Sequence, residues 1–221
     1  KLASKLGHPI KNRIMKLIHS IKDNCTLCYA CVRICPSKAM KIEDEHAKAI
    51  HERCIGCGHC VTVCPTDALY YTQSATPVSK LIEENETVVA ICAPSIAGEF
   101  ADISSRRNFV GMVKALGFKC VCGASFGADL VALQYKSIFE EFKGKYFISS
   151  KCPAVVYQVA KYYPNLVDNL VPVCTPVAAT AAIARHQHGE EIFIVSISPC
   201  LATKMEMADP ESGSIINAHI T

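Results

Sequence analysis

Residues 25–36 read CTLCYACVRICP, and residues 54–65 read CIGCGHCVTVCP. The second copy follows the first at an offset of 29, and each is trailed by a similar tail, SKAMKI and TDALYY. Both copies carry the spacing C-x2-C-x2-C-x3-C-P. Three cysteines on one tight loop reach three irons of a 4Fe-4S cubane. The fourth is carried too far round the loop and ligates the other cluster. The spacing therefore groups Cys25, Cys28 and Cys31 with Cys64, and Cys54, Cys57 and Cys60 with Cys35. Pro36 and Pro65 turn the chain out of each site. Small residues such as Gly56 and Gly58 let backbone amides approach the sulfur atoms and tune the potential. Zinc prefers two separated C-x2-C pairs and has no use for four cysteines in each run.

This first part resembles a bacterial-type two-cluster ferredoxin. The resemblance implies a small α+β domain with pseudo-twofold symmetry that relays single electrons through two 4Fe-4S clusters. Residues 1–20 ahead of it, with spaced Ile, Leu and Met among basic residues, suit a short amphipathic helix after Pro9. Composition shifts over 71–87, so the domain boundary is placed near 76, dividing the chain into 1–76 and 77–221.

The chain has 221 residues, half of them hydrophobic, with 19% charged. It has a substantial core and is not broadly disordered. Fourteen cysteines in aliphatic-rich sequence point to thiolate ligands in a reducing cytoplasm rather than to a secreted disulfide scaffold. No apolar run has the length of a membrane span, and no signal peptide is visible. The formal charge is +3, but two cubanes, each −2 with its thiolates, bring the total to about −1. Basicity is thus no argument for nucleic acid. The first residue is Lys and the last segment is SGSIINAHIT, so the sequence reads as a piece of a longer polypeptide.

From residue 88 the pattern alternates. VVAICAPS, FKCVCGAS, KYFISSKC and EIFIVSISPC read as strands. EFADISSRRNFVGMVKALG, GADLVALQYKSIFEEFKG, PAVVYQVAKYYP and TPVAATAAIARHQHG read as helices. Such alternation predicts a mainly parallel sheet with covering helices. The HQHGEE stretch at 186–191 reads as a polar helix end. Six cysteines lie outside the two runs. Cys92, Cys120, Cys122 and Cys174 read as small core residues. Cys152 and Cys200 each sit at the carboxyl end of a predicted strand beside a proline, where ligands of parallel sheets bind. Thiolates there suit a metal, but two cannot hold a cubane by themselves, so the spacing leaves their role open.

The ordered segments ICAPSIAGEF, LGFKCVCGASFGADLVA, FISSKCPAVVYQVAKYYPNLVDNLVPV and IVSISPCLATKME resemble the catalytic domain of iron-only (FeFe) hydrogenases over about 88–208. The resemblance implies that Cys152 and Cys200 are two of four ligands to a third 4Fe-4S cluster. That cluster is linked to a two-iron centre carrying carbon monoxide and cyanide. It also implies that Ala93, Pro94 and Ser95 line the pocket of that centre, and that Glu206 occupies a catalytic position.

Departures accompany the likeness. The family's other two cubane ligands come from a C-x3-C motif that this sequence lacks, so either a further segment or another chain supplies them, or the site is degenerate. Lys151 stands where productive members carry a cysteine, and an ammonium is a poorer proton shuttle than a thiol near neutrality. Two further relay positions fall near Tyr135 and at Val171. The family's pocket lysine matches Thr203, with Lys204 one residue on. These changes look more like the sensory branch of the family.

Three readings follow. The first is a hydrogenase-like oxidoreductase that interconverts or senses dihydrogen and protons, with a ferredoxin or similar redox partner. The second is a non-catalytic hydrogenase-like protein in electron relay or cluster handling. The third, ranked last, is a ferredoxin fused to an unrelated α/β domain.

Overall fold

The computed structural model describes residues 15–100, 103, 105–141, 146–208 and 212–221. The smaller half repeats one unit. The first copy runs β1 (Ile18–Ser20), α1 (Ala30–Ile34) and β2 (Met40–Glu43). The second runs β3 (His46–Ala49), α2 (His59–Thr62) and β4 (Leu69–Tyr71). β1 pairs antiparallel with β4, and β2 with β3, so each copy exchanges a strand with the other about a pseudo-twofold axis. Asp44 and Glu45, both at positive φ, make the tight turn between β2 and β3.

The helix expected over the first twenty residues is corrected at its end. Residues 1–14 lie outside the described residues, and 18–20 form β1. Leu17 and Ile18 are buried, and His19 stacks on Tyr70 with ring centroids 5.3 Å apart. Pairing with β4 overrides a weak amphipathic pattern.

The larger half opens with α3 (Ala75–Glu84), followed by β5 (Val88–Cys92), α4 (Arg106–Ala115), β6 (Cys120–Gly123), α5 (Ser125–Glu141), α6 (Pro153–Tyr162), α7 (Pro176–His188), β7 (Phe193–Ile197), α8 (Ser212–Ile215) and β8 (Ala218–Ile220). The strand order is β6-β5-β7-β8, and every pair is parallel. All five residues of β5 are buried, as a central strand covered on both faces requires. Val177, Ala181 and Ala184 of α7 cover the face bearing Val89, Ile91 and Ile194. Val78 of α3 and Val113 of α4 cover the face bearing Val88, Ala90 and Val195.

The expected strand over 145–152 does not join this sheet. Ile148 makes one isolated parallel bridge with Leu170 and packs with Val156 and Val159 of α6, so its apolar side is satisfied in a satellite cluster. The fourth strand of the sheet is β8, unannounced in the sequence because His219 occupies its buried face. Among the described residues no helix is long and apolar enough to cross a membrane.

From β5 the chain moves to β6 on one side, then crosses to β7 on the other. The carboxyl ends of β5 and β7 therefore flank the switch point where α/β sheets bind ligands.

Candidate functional site

The two cysteine runs are conformational copies. Leu27 and Tyr29 hold positive φ in the first loop, and Gly56 and Gly58 do so in the second. Lys38 and Asp67 match in the same way. A left-handed residue other than glycine costs roughly 1–2 kcal/mol, so the first loop takes this curvature against the preferences of Leu27 and Tyr29.

The fourth cysteine of each run is caged alike. Cys35 Sγ accepts from the Ala39 amide at 3.2 Å and lies 3.6 Å from Ser37 Oγ. Cys64 Sγ lies 3.9 Å from Thr66 Oγ1. Burial raises the Cys64 thiol pKa, but the amides of Thr66, Leu69 and Ala68 outweigh it, and the net shift is downward. Donors aimed at sulfur stabilise the thiolate a metal needs.

Burial pushes Cys60 up to about 12, with Cys54, Cys57, Cys35 and Cys31 as electrostatic neighbours. Burial also raises Cys54, whose neighbours include Cys57 and Cys35, and whose sulfur accepts from the Gly56 amide at 3.4 Å. The fold thus brings Cys35 from the first run to the second run's cysteines. Burial raises Cys31 as well, with Cys28 and Cys25 nearby. Crowded, buried soft-sulfur donors with amides already aimed at them fit polynuclear iron–sulfur cores.

The glycines of the second loop have a further duty. A Cβ on Gly56 would stand 2.6 Å from Met205 Cγ, and one on Gly58 would meet Leu201 at 3.4 Å. The loop is seated directly on the 3-10 segment Leu201–Ala208.

In the larger half, Ala93 N donates to Ile197 O at 2.9 Å, tying the two strand ends together. Two cavities flank this point and share Ile96 and Phe100 as a wall. One, of about 760 Å³, is lined by Cys92, Ala93, Pro94 and Cys122. The other, of about 520 Å³, is lined by Cys57 and Gly58 of the second cysteine loop together with Cys200. Ser95 is exposed and lines neither.

Cys152 and Cys200 are both exposed. Cys152 is the N-cap of α6, and Cys200 immediately precedes the 3-10 segment. These two helical pieces pack together, with Tyr157 OH donating to Met205 O at 3.1 Å. Cys152 lines neither cavity. Lys151 is exposed, and its amide donates to Ser149 Oγ at 3.5 Å. The hydroxyl of Tyr135 lies 3.1 Å from that same Ser149 Oγ and accepts from the Ser150 amide. Val171 shares a cluster with Tyr135.

Thr203 is buried, and its hydroxyl donates to Cys200 O at 2.7 Å. Lys204 is fully buried and turned elsewhere. Its ammonium donates to Ser74 Oγ at 2.5 Å and His219 O at 3.0 Å, and lies 5.7 Å from the Tyr71 ring centroid. It pins β4, the start of α3 and β8 together. Glu206 is buried and accepts from Thr175 Oγ1 at 3.4 Å. Sequence reasoning passed over Lys161 and Tyr162, whose side chains reach the backbone of both cysteine loops. Nothing but helical spacing marked them.

Residues 86–221 match the family described as the iron only hydrogenase large subunit, C-terminal domain, and residues 14–69 match the 4Fe-4S dicluster domain. The NADP-reducing hydrogenase subunit HndD of Solidesulfovibrio fructosivorans is 30% identical over 204 residues, covering 85% of this chain and 31% of that protein. The periplasmic [Fe] hydrogenase large subunit of Nitratidesulfovibrio vulgaris is 29% identical, covering 85% of this chain and 50% of that one. The chain therefore spans half or less of the length of these relatives. The cytosolic Fe-S cluster assembly factor NAR1 of Scheffersomyces stipitis is 30% identical over 110 residues, covering 45% of this chain and 20% of that protein. A solved [FeFe]-hydrogenase shares the fold, with a TM-score of 0.54 at 19% identity over 68% of this chain and 46% of that one.

Proposed function

Because the chain belongs to the iron-only hydrogenase large-subunit family, we propose that it is a redox protein acting on, or sensing, dihydrogen. Electrons would pass between its active centre and a ferredoxin-like partner. When bound, the clusters supply one-electron storage and transfer, and a two-iron centre supplies the chemistry that interconverts dihydrogen and protons. The smaller part, 1–76, holds two 4Fe-4S clusters through Cys25, Cys28, Cys31 and Cys64, and through Cys54, Cys57, Cys60 and Cys35. The larger part, 77–221, offers Cys152 and Cys200 to a third cluster, with further ligands contributed by additional sequence or a further chain. Ala93 and Pro94 wall the cavity beside that site. Lys151, exposed next to Cys152, stands at the proton-relay position. Glu206, held by Thr175, is a buried carboxyl six residues after Cys200. Fourteen cysteines, ten of them proposed cluster ligands, suit a reducing compartment, and the cytoplasm is the proposed location.

The observation that carries this reading is the shared cavity. Cys57 and Gly58 of a cysteine loop and Cys200 of the hydrogenase-like part line one cavity, which supports a relay cluster lying next to the active centre. Infrared spectroscopy of the anaerobic protein, after exposure to a two-iron precursor, tests it. Sharp protein-bound bands in the carbon monoxide and cyanide stretching region are expected. Two intact 4Fe-4S clusters with no such bands would leave Cys152 and Cys200 without an active-centre role.

The likeness to a cluster assembly factor supports a second reading, a non-catalytic protein of electron relay or cluster handling. Lys151 bears on the choice between them. In fully loaded protein, Lys151→Cys is expected to raise turnover about tenfold or more, because a positioned proton-transfer group contributes roughly 10²–10⁴-fold. Unchanged turnover would remove Lys151 as the reason for slow chemistry.

A further inference from the structure

The strongest unused feature of the molecule is one end of α6. Lys161 Nζ donates to Cys54 O at 2.7 Å and to His51 O at 3.3 Å. It also lies 5.3 Å from the centroid of the Tyr157 ring, one helical turn back. The neighbouring Tyr162 hydroxyl lies 2.5 Å from Ser37 O and 3.1 Å from Arg53 O. Ser37 follows Cys35, and Arg53 precedes Cys54. One helix end therefore grips the chain on both sides of the cysteine group formed by Cys54, Cys57, Cys60 and Cys35.

Lys161 is part-buried, and no carboxylate forms an ion pair with it among the described residues. The acid in electrostatic reach, Glu52, is exposed. Burial lowers the Lys161 pKa from its ordinary value, with Cys54 and Glu52 opposing that shift, while two carbonyl oxygens and a ring face solvate the ammonium at its fixed place beside Cys54. The first cysteine run has no lysine contact of this kind among the described residues. Cys152 is the N-cap of α6, so the same helix joins the hydrogenase-like site to this one.

We infer that Lys161 is a potential-setting residue: its uncompensated positive charge beside the Cys54 group raises the reduction potential of the cluster held there, separating it from the cluster of the Cys25 group. The inference rests on the proposed ligand groups. A fixed cation favours the form with one more electron, and low local dielectric strengthens the effect. Tyr162, by contrast, fixes loop geometry without adding charge. The cluster that sits beside the cavity shared with Cys200 then becomes the better electron acceptor of the pair.

The test is a potentiometric titration of the reconstituted full chain with dithionite, followed by electron paramagnetic resonance. The Cys54-group signal is identified as the one altered by Cys57→Ser. Lys161→Gln keeps a donor for the carbonyls and removes the charge. It should lower the reduced-to-oxidised ratio of that cluster about tenfold at the wild-type midpoint, a shift of ~59 mV for one electron. The other cluster should stay in place. Lys161→Arg should restore the wild-type potential, and Tyr162→Phe should leave it unchanged. An unmoved midpoint in Lys161→Gln, or equal movement of both clusters, overturns the inference while leaving the ligand groups intact. Failure of any cluster to assemble on the Cys54 group in wild-type protein, counted by Mössbauer spectroscopy, overturns the ligand assignment and the inference with it. If Lys161→Gln loses the cluster while Lys161→Arg keeps it, Lys161→Met decides. A Lys161→Met protein that holds the cluster at wild-type potential rejects the charge, and one that also loses the cluster makes Lys161 a structural clamp and rejects potential setting.

Discussion

Gly127→Ala is expected to destabilise the protein by about 3 kcal/mol, although alanine is the better helix former by roughly 1 kcal/mol. Gly127 lies in the first turns of α5, where that helix crosses α7. A Cβ there would stand 2.1 Å from Pro176 O, 2.4 Å from Thr180 Oγ1 and 2.9 Å from Thr180 N. Two of these are backbone atoms, so the collision is relieved only by separating the helices. The Gly127 amide also donates to Thr180 Oγ1 at 3.2 Å, a bond that separation would break. Gly111, inside α4, gives the contrast, because nothing lies within 4 Å of its added Cβ. Gly111→Ala should be neutral or stabilising by up to about 1 kcal/mol. Melting temperatures of the two variants should move in opposite directions, the first falling by roughly 6–12 °C. A Gly127→Ala protein that melts with the wild type would mean that α5 and α7 do not meet at this point.

Acid should weaken the fold through His219. Its side chain is buried at 1% exposure in β8, and among the described residues neither ring nitrogen has a hydrogen-bond partner. Its register partner in β7, Ser196, is likewise buried with an unpartnered hydroxyl. Burial, helped by the Lys204 ammonium, lowers the His219 pKa from 6.5 to about 4. The folded form therefore keeps the ring neutral where the unfolded chain would protonate it. Below pH ~6.5 the unfolded state binds the extra proton, so stability falls as pH drops. The loss is complete near pH 4 and amounts to about 3 kcal/mol. Above pH ~6.5 this contribution is fully present and flat. His219→Leu should remove this slope and be at least as stable as wild type at pH 5, since it also removes two unsatisfied nitrogens. Melting temperatures of both proteins from pH 7.5 to 4.5 check this. Parallel curves for the two would show that the ring finds a partner or water in solution.

Much of the candidate site was legible because the spacing of the two cysteine runs is local. Four cysteines within a dozen residues, followed by proline, define a loop whatever surrounds it. The repeat even shows itself in backbone angles, with Leu27 and Tyr29 bent as Gly56 and Gly58 are. The parallel sheet was legible for a similar reason: β5, β6 and β7 are short apolar runs each set between helical patterns. The KYFISSKC run misled because its apolar residues satisfy a satellite cluster, which spacing cannot distinguish from a sheet. β8 was missed because it is a three-residue edge strand whose buried position is a histidine rather than an apolar residue.

The sequence by itself determined the two cysteine runs and the alternating α/β pattern. Each of these depends on residues close in the chain, where spacing alone constrains geometry. Only the tertiary structure decided what the polar groups do. It turned Lys204, one residue from a family position, onto Ser74 and the His219 carbonyl. It set Lys161 against Cys54, with 106 residues between them. It seated Met205 where Gly56 has no side chain. Such contacts join residues far apart in the chain, and long polar side chains choose partners by desolvation and reach, neither of which leaves a periodic mark in sequence.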